Sequence, residues 1–161
     1  MVRIEQANAS DVPALVELLS RLFSIEKDFR IDADRQRRGL QVLIEQPRSR
    51  AIVMVARDDA GTAIGMVSGQ LVVSTAEGAP SAWIEDVVVA PEFRNRGIGR
   101  ALLGAVLEWA ASQGATRAQL LADQANEAAL AFYGRLGWIR SRMVMLRIHQ
   151  RTEDRRQIPE D

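Results

Sequence analysis

The chain has 161 residues and a mass of 17.8 kDa, and 47% of its residues are hydrophobic. One core readily covers that length, so a single domain is expected. Acidic and basic residues number 21 each, which gives a formal net charge of +0 and no overall field to attract nucleic acid or an anionic membrane. Cysteine is absent and His149 is the only histidine, which argues against disulfides, thiolate chemistry, a metal site or a histidine triad.

The N-terminal sequence does not predict secretion. It lacks the apolar core of a signal peptide, and no apolar run in the chain approaches the ~20 residues that span a bilayer. A cytoplasmic protein without membrane association is therefore expected. Residues 149–161 are charged and nearly free of apolar side chains, which predicts a frayed tail after a domain of residues 1–148.

The first half of the chain predicts a strand, two helices and a pair of strands. Residues 2–6 alternate as a strand, and Ser10 is the expected N-cap of a helix whose apolar positions continue to Phe23. A polar stretch then leads to a second helix over 34–45. Residues 51–56 and 63–74 predict the two strands of a hairpin around the turn at 57–62.

The second half predicts a strand at 83–89, a helix from Gly97 that stops at Gly114, and a strand at 116–122. A short helix over 126–136 and a final strand over 138–148 follow. The element order β-α-α-β-β-β-α-β-α-β indicates a mixed α+β fold, with a mostly antiparallel twisted sheet flanked by helices. Residues 83–122 form a β-α-β unit within it.

The most informative stretch is RNRGIGR, residues 94–100, where a strand passes into a helix. Its glycines are compatible with an ordinary tight turn, and its arginines with solvated side chains. A Walker loop is excluded because Arg100 follows Gly99, and the Rossmann pattern is excluded because Leu102 stands where its third glycine belongs. Exposed amides at a helix N-terminus, the helix dipole and nearby arginines nevertheless favour a pyrophosphate-containing cofactor.

Two blocks of the sequence resemble the GCN5-related N-acetyltransferases. RNRGIG, preceded by WIEDVVVAPEF, is similar to the family's Gln/Arg-x-x-Gly-x-Gly/Ala motif, with Arg94, Gly97 and Gly99 at the motif positions. NEAALAFYGRLGW is similar to the family's later motif at Asn126, Phe132, Tyr133 and Gly137. The element order from residue 2 to about 148 resembles the family as well.

The resemblance implies transfer of an acyl group, usually acetyl, from acetyl-CoA to a primary amine by direct attack, without a metal. It places the cofactor pyrophosphate on the turn, at Arg94, Asn95, Arg96, Gly97, Ile98, Gly99 and Arg100. It also implies that a bulge in the preceding strand turns the backbone N–H groups of Val87, Val88 and Val89 toward the pantetheine arm and thioester. The side chains of these three valines are expected to lie in the hydrophobic core.

Glu85 and Asp86 are the candidate general bases. An alkyl amine with a pKa of ~10.4 is protonated at neutral pH, so it must lose a proton before attack. The two carboxylates are adjacent in an apolar strand, and strand alternation predicts that they face opposite ways. The I-E-D-x-x-V pattern resembles the diamine and polyamine acetyltransferases, which implies that Glu85 acts through water and leaves Asp86 as the alternate. A salt bridge to an arginine is the plain alternative.

Tyr133, the only tyrosine, is the candidate general acid. It matches the family's catalytic tyrosine, and a phenol with a pKa of ~10 is protonated at pH 7. Its alternative is simple aromatic packing. Asn126 suits either a hydrogen bond to the pantetheine or a helix cap. Trp83, Trp109 and Trp138 are expected to pack.

The acceptor amine is not fixed by the sequence. In the family the connection between the first two helices shapes that site, here roughly 24–38, where Glu26, Asp28, Asp32 and Asp34 alternate with basic residues. A small-molecule or peptide amine is expected. A non-catalytic acyl-CoA-binding regulatory domain is the main alternative, and an RNA-binding module is disfavoured by the net charge. Homodimers are common in the family, and the resemblance admits one here.

Overall fold

The computed structural model describes residues 1–25 and 30–150. In chain order these residues form β1 (Arg3–Gln6), α1 (Val12–Phe23), α2 (Ala33–Glu45), β2 (Ala51–Arg57), β3 (Ala63–Ser74), β4 (Ala79–Val89), α3 (Ile98–Ser112), β5 (Arg117–Leu120) and α4 (Glu127–Arg135). Short 3-10 turns precede α1 at Ala9–Asp11 and follow β4 at Pro91–Phe93. β4 begins four residues earlier than the sequence predicts, because the loop before it pairs with the end of β3.

The strands lie in one sheet in the order β1-β2-β3-β4-β5. The first four are antiparallel, and β5 is parallel to β4 after the crossover through α3. This arrangement confirms the mostly antiparallel sheet and the β-α-β unit. β5 pairs with β4 only as far as Ile84, whereas β3 pairs with β4 as far as Val89. Among the described residues, no strand therefore pairs with residues 85–89 of β4 on the β5 side.

Each face of the sheet carries its own hydrophobic core. α1 and α2 cover one face with a cluster that includes Leu15, Leu40, Val55 and Met66. α3 covers the other with a cluster that includes Ile52, Ile84, Leu102 and Trp109. All of these side chains are buried, so burial of apolar surface on both faces fixes the position of the sheet between the helices.

The ends of the helices show why they begin and stop where they do. Asn8, not the predicted Ser10, caps the start of the first helical segment: its side chain accepts from Ser10 N, and Asp11 Oδ2 accepts from Asn8 N at 2.8 Å. Ser10 lies inside the 3-10 turn instead. At the end of α3, Ala115 N donates to Ala110 O and Gly114 N to Ala111 O, which is the Schellman arrangement expected at Gly114.

The predicted final strand over 138–148 is wrong for the described chain. After α4 the backbone turns at Gly137, where Trp138 N donates to Tyr133 O, and no strand follows up to residue 150. Ile139, Val144 and Leu146 are exposed along this segment. The sequence pattern was that of a strand, but a strand requires a neighbouring strand to accept its hydrogen bonds, and the segment has none in the described chain.

Candidate active site

The turn to which the sequence assigns the cofactor, residues 94–100 (the cofactor turn), follows β4 and is completed by the first residues of α3. Gly97 is the residue before α3 and has a left-handed φ of 79°, a conformation that favours glycine. A Cβ built on Gly97 would meet no atom within 4 Å, so the backbone there faces open space. The first N–H groups of a helix have no acceptor within the helix, and the positive end of its dipole lies there. The turn thus offers backbone donors to an anion.

The three arginines of the turn are all exposed but have different surroundings. Arg94 Nε donates to the carbonyl oxygen of Val89 at 3.0 Å, which ties the turn to the end of β4. The Arg96 guanidinium lies over the Phe93 ring, 5.4 Å from its centroid. Arg94 and Arg96 thus stiffen the turn, while Arg100 adds positive charge in the first turn of α3.

Gly99 has a packing role that its sequence motif does not reveal. A Cβ on Gly99 would lie 3.2 Å from Phe132 Cζ on α4, which is closer than ordinary van der Waals contact. The absence of that atom lets α4 approach the first turn of α3. Because Tyr133 follows Phe132, this contact also brings the candidate acid to the end of the sheet where the cofactor turn lies.

β4 contains a bulge at the two carboxylates. The pairs Met66–Val88 and Ser68–Glu85 leave Asp86 and Val87 opposite the single residue Val67. Asp86 has a φ of 56°, which is rare for a residue other than glycine and is tolerated best by Asn and Asp. Two residues facing one is the geometry of a β-bulge, which disrupts the regular ladder locally. The bulge that the resemblance implies in this strand is therefore present, at Asp86 and Val87.

The bulge overturns the expectation that Glu85 and Asp86 face opposite sides of the sheet. Ile84 belongs to the core beneath α3, whereas Val88 belongs to the core beneath α1. Regular alternation would place two residues four positions apart on the same face, so the alternation of side-chain direction shifts by one residue between them. Ser68 Oγ lies 3.1 Å from Asp86 Oδ2, and Glu85 is paired with Ser68 in the register, so both acidic residues lie on the α1 face. Simple alternation fails wherever a strand gains a residue.

Glu85 is exposed and accepts a hydrogen bond from Trp83 Nε1 at 2.8 Å. Residues i and i+2 of a strand share a face, so Trp83 lies beside the candidate base. The ion pairs among the described residues do not include Glu85, which removes the plain salt-bridge interpretation for this residue. Asp86 is half-buried over Ser68.

Tyr133 is half-buried between two aromatic rings. Its ring centroid lies 5.3 Å from that of Phe132 and 6.0 Å from that of Trp138, in tilted and edge-on arrangements that aromatic pairs prefer. Asn126 caps α4, since its Oδ1 accepts from Ala129 N at 3.1 Å. The cap uses the amide oxygen, so the Nδ2 group is not needed for it.

A cavity of about 590 Å³ lies between the end of α1 and the start of α2. Its lining includes Arg30, Asp32, Arg35, Gln36 and His149, and Asp32 is engaged by capping α2 and pairing with Arg35. Gln36 is buried, and its Nε2 has no hydrogen-bond partner among the described residues. The described lining is thus not acidic. Glu26, Lys27, Asp28 and Phe29 lie outside the described residues.

The end of α1 is tied to the cofactor turn. Arg21 Nη1 lies 3.5 Å from Glu92 Oε1, in the 3-10 turn between β4 and α3. Backbone hydrogen bonding within Glu92 and the charge of Arg21 lower the pKa of this carboxyl. The end of α1 lines the cavity through Phe23 and contacts the 3-10 turn through Arg21, so the cavity and the cofactor turn lie at the same end of the sheet.

Three neighbours of the site were missed from the sequence. Ser68 holds the bulge, Trp83 donates to Glu85, and Trp138 packs on Tyr133. A serine within the apolar run of β3 was a signal for Ser68, because an isolated buried hydroxyl needs a partner. The contacts of Trp83 and Trp138 depend on strand register and on the turn at Gly137, which local patterns do not fix. Trp109 packs in the core as predicted, 3% exposed.

The sequence model of the Acetyltransferase (GNAT) family matches residues 12–138, so this chain belongs to that family. It is 33% identical over 94 residues to an uncharacterized N-acetyltransferase of Methanocaldococcus jannaschii, a match that spans 53% of this chain and 42% of that protein. It is 34% identical over 86 residues to a mycothiol acetyltransferase of Propionibacterium freudenreichii, spanning 53% of this chain and 27% of that protein. These matches span less than half the length of either relative.

Solved structures share the fold over nearly the whole chain. A transcriptional regulator from Bacillus halodurans aligns over 93% of this chain and 100% of its own, with a TM-score of 0.79 and 25% identity. An aminoglycoside acetyltransferase from an uncultured soil metagenomic sample, solved in complex with sisomicin, aligns over 93% of this chain and 97% of its own, with a TM-score of 0.75 and 23% identity. AAC(6')-Iy, solved in complex with a CoA-containing bisubstrate analogue, aligns over 93% of this chain and 99% of its own, with a TM-score of 0.77 and 20% identity.

No helix of the described residues has the length and apolar character needed to cross a bilayer. No group of three or more His, Cys, Asp or Glu side chains in the same part of the chain is placed to hold a metal ion.

Proposed function

We propose that this chain transfers an acetyl group from acetyl-CoA to a primary amine of a small molecule or peptide, through one catalytic domain of residues 1–148. One observation carries the proposal: the bulge at Asp86 and the open turn at Gly97 lie at the two ends of the same short stretch, residues 86–97. A strand edge and a helix N-terminus so close in sequence match the two parts of an acyl-CoA, its amide-containing arm and its pyrophosphate.

The turn suits the pyrophosphate. The backbone from Arg94 to Arg100, including Asn95 and Ile98, would supply N–H donors, and the open space at Gly97 would admit a phosphate without a Cβ in the way. Ile98 is buried and anchors the start of α3, so the donors need little reorganisation on binding. The edge of Val87, Val88 and Val89 on the β5 side would receive the pantetheine arm, with Asn126 Nδ2 as an additional donor.

The chemistry divides among three side chains. When bound, acetyl-CoA supplies the activated acetyl group. Glu85, exposed and oriented by Trp83, would take the proton from the acceptor amine through a water molecule, with Asp86 as the alternate base. Tyr133, held between Phe132 and Trp138, would give its proton to the departing sulfur.

The cavity between α1 and α2 is the candidate binding site for the acceptor amine. Of its described charged side chains, Asp32 is already engaged by Arg35, and Arg30 is basic, so they offer no attraction for a polycation. The resemblance of the strand motif to polyamine acetyltransferases is thus not supported by this lining. An amine panel that includes amino-acid derivatives and aminoglycosides beside polyamines, read out as free thiol, tests the acceptor class.

The cofactor claim is tested by calorimetric titration with acetyl-CoA. Gly97→Val should weaken binding by at least roughly tenfold, because its side chain would occupy the space where a phosphate approaches. Gly78→Val is the matched control: Gly78 also has a left-handed φ, 63°, and open space, but lies in the hairpin between β3 and β4. Gly78→Val should bind as the wild type does. Wild-type protein that does not bind acetyl-CoA would refute the proposal.

Binding without turnover would favour the non-catalytic alternative. In that case the titration would give a normal isotherm while no amine in the panel released thiol. Binding together with thiol release supports the enzyme.

A further inference from the structure

The cavity of about 590 Å³ between the end of α1 and the start of α2 is lined by a buried residue whose polar group lacks a partner. This residue is Gln36, which is 8% exposed. Its Oε1 lies 3.2 Å from Ser20 Oγ, but its Nε2 has no hydrogen-bond partner among the described residues. Buried amide groups are nearly always hydrogen-bonded, because an unpaired donor has lost its contact with water and gained nothing in return. The cavity lining thus includes a donor that a bound molecule can satisfy.

The charges around the cavity favour an anionic group in that molecule. The lining includes Arg30, which takes part in none of the ion pairs of the described residues. Asp32, the one described acidic residue of the lining, is balanced by Arg35, whose Nε lies 3.3 Å from Asp32 Oδ2. Asp34 lies outside the described lining and pairs with Arg37. The start of α2 adds the positive end of its helix dipole, so the surroundings are positive.

The rest of the lining fits a small organic molecule. Phe23 and Ile31 provide an apolar side, and His149 is the remaining polar residue. A cavity of this size with apolar walls and a few polar groups is typical of small-molecule sites. α1 and α2 cover the face of the sheet on which Glu85 and Asp86 lie, so a molecule in the cavity lies on the same face as the candidate bases.

We infer that the acceptor of the proposed acetyl transfer is a small amine that also carries a carboxylate and an apolar side chain. The carboxylate accepts from Gln36 Nε2 and pairs with Arg30, and the apolar side chain packs on Phe23. Hydrogen bonds to a charged group are stronger than those between neutral groups, so these contacts discriminate against an amine without the carboxylate. The inference rests on the proposed function, because it names the substrate class of the same site.

Matched sets of amines test the inference on the wild-type protein. Phenylalanine, leucine and methionine are each compared with the corresponding carboxamide and with the amine that lacks the carboxyl group, in the thiol-release assay. In the set that is turned over fastest, the carboxylate compound should have a kcat/KM at least roughly tenfold above both analogues. An equal or higher kcat/KM for either analogue would overturn the inference and leave the proposed acetyl transfer standing.

Two substitutions separate recognition of the carboxylate from folding. Gln36→Leu removes the unpaired amide at similar volume, so the free energy of unfolding should stay the same or rise, while KM for the carboxylate compound should rise at least roughly tenfold. Arg30→Gln should raise the same KM. Arg50→Gln is the matched control, because Arg50 is also exposed, also lies in a loop outside the ion pairs, and is not part of the described lining. Its KM should be that of the wild type. Gln36→Leu and Arg30→Gln proteins that keep the wild-type preference for the carboxylate would refute the inference.

Calorimetry distinguishes failure of this inference from failure of the proposed function. Protein that releases thiol with no amine contradicts acetyl transfer, but its cavity can still be titrated with phenylalanine and with phenethylamine in the presence of CoA. Binding of phenylalanine alone, lost in Arg30→Gln and kept in Arg50→Gln, supports the carboxylate site. If none of the three amino acids is either bound or acetylated, the inference is wrong.

Discussion

Ser68 Oγ lies 3.1 Å from Asp86 Oδ2 and 3.2 Å from the carbonyl oxygen of Glu85. One fully buried hydroxyl on β3 thus contacts both residues at which β4 departs from regular geometry. Asp86 is held in a left-handed conformation that costs energy unless its surroundings fix it. The Ser68 hydroxyl is a side-chain contact that links this bulge to the neighbouring strand.

Ser68→Ala should therefore lower both stability and turnover. Loss of a buried hydrogen bond costs about 1 kcal/mol in the free energy of unfolding, measured in urea. Ser74→Ala is the control, since Ser74 is also buried on β3 and accepts from Glu77 N and Arg117 Nη2, but it is the last residue of the strand and lies away from the bulge. Both variants should be destabilised, and only Ser68→Ala should lose kcat. Equal kcat in the two proteins would show that the bulge geometry has no part in turnover.

Glu85→Gln should remove the base and keep its hydrogen bond. The amide oxygen of glutamine still accepts from Trp83 Nε1, so the unfolding free energy should change little. Loss of a general base lowers kcat by about 10²–10⁴-fold, which a thiol-release assay would measure. Asp86→Asn is the comparison, because asparagine tolerates the φ of 56° at that position. If Asp86→Asn loses kcat and Glu85→Gln does not, Asp86 is the base.

Tyr133→Phe should separate proton donation from packing. Phenylalanine retains the ring contacts with Phe132 and Trp138, so acetyl-CoA binding should be unchanged in calorimetry. Turnover should fall by about 10²-fold or more, because the acid is lost. Trp138→Phe is the control for altered ring packing and should affect stability more than kcat. Wild-type turnover in Tyr133→Phe would remove this residue from the mechanism.

Gly69 sets how closely α3 packs on β3. A Cβ there would lie 2.6 Å from Val106 Cγ2 and 2.9 Å from Trp109 Cζ3, both in the core. Gly69→Ala should destabilise the protein by about 1–3 kcal/mol through overpacking. Gly104→Ala, within α3 and with no atom within 4 Å, should instead stabilise by about 0.5–1 kcal/mol. The free energies of unfolding of Gly69→Ala and Gly104→Ala, measured by chemical denaturation, would contradict this account if both rose or both fell relative to the wild type.

Local patterns were sufficient to predict most elements of this fold. Helical spacing from Ile98 to Trp109 predicted α3, and Gly114 ends it through backbone bonds that a left-handed residue makes possible. The cofactor turn could also be predicted from the sequence, because its glycines and arginines lie within seven consecutive residues, 94–100. These features depend on residues within a few positions of each other.

Other features depend on neighbours distant in sequence. The bulge at Asp86 is defined by the register of β4 against β3, and its side chain contacts Ser68, eighteen positions away. The sequence of one strand does not specify that register. The segment after α4 has the pattern of a strand but lacks a partner strand in the described chain, so pattern alone gave the wrong element.

The sequence by itself determined the mixed fold, the order of its elements as far as α4 and the glycine- and arginine-rich turn at Gly97, because periodicity and backbone freedom act locally. Only the tertiary structure decided that Glu85 and Asp86 share one face of the sheet and that Gly99 admits Phe132. The physical reason is that side-chain direction after a bulge, and the distance between packed helices, are set by contacts between strands and helices far apart in the chain.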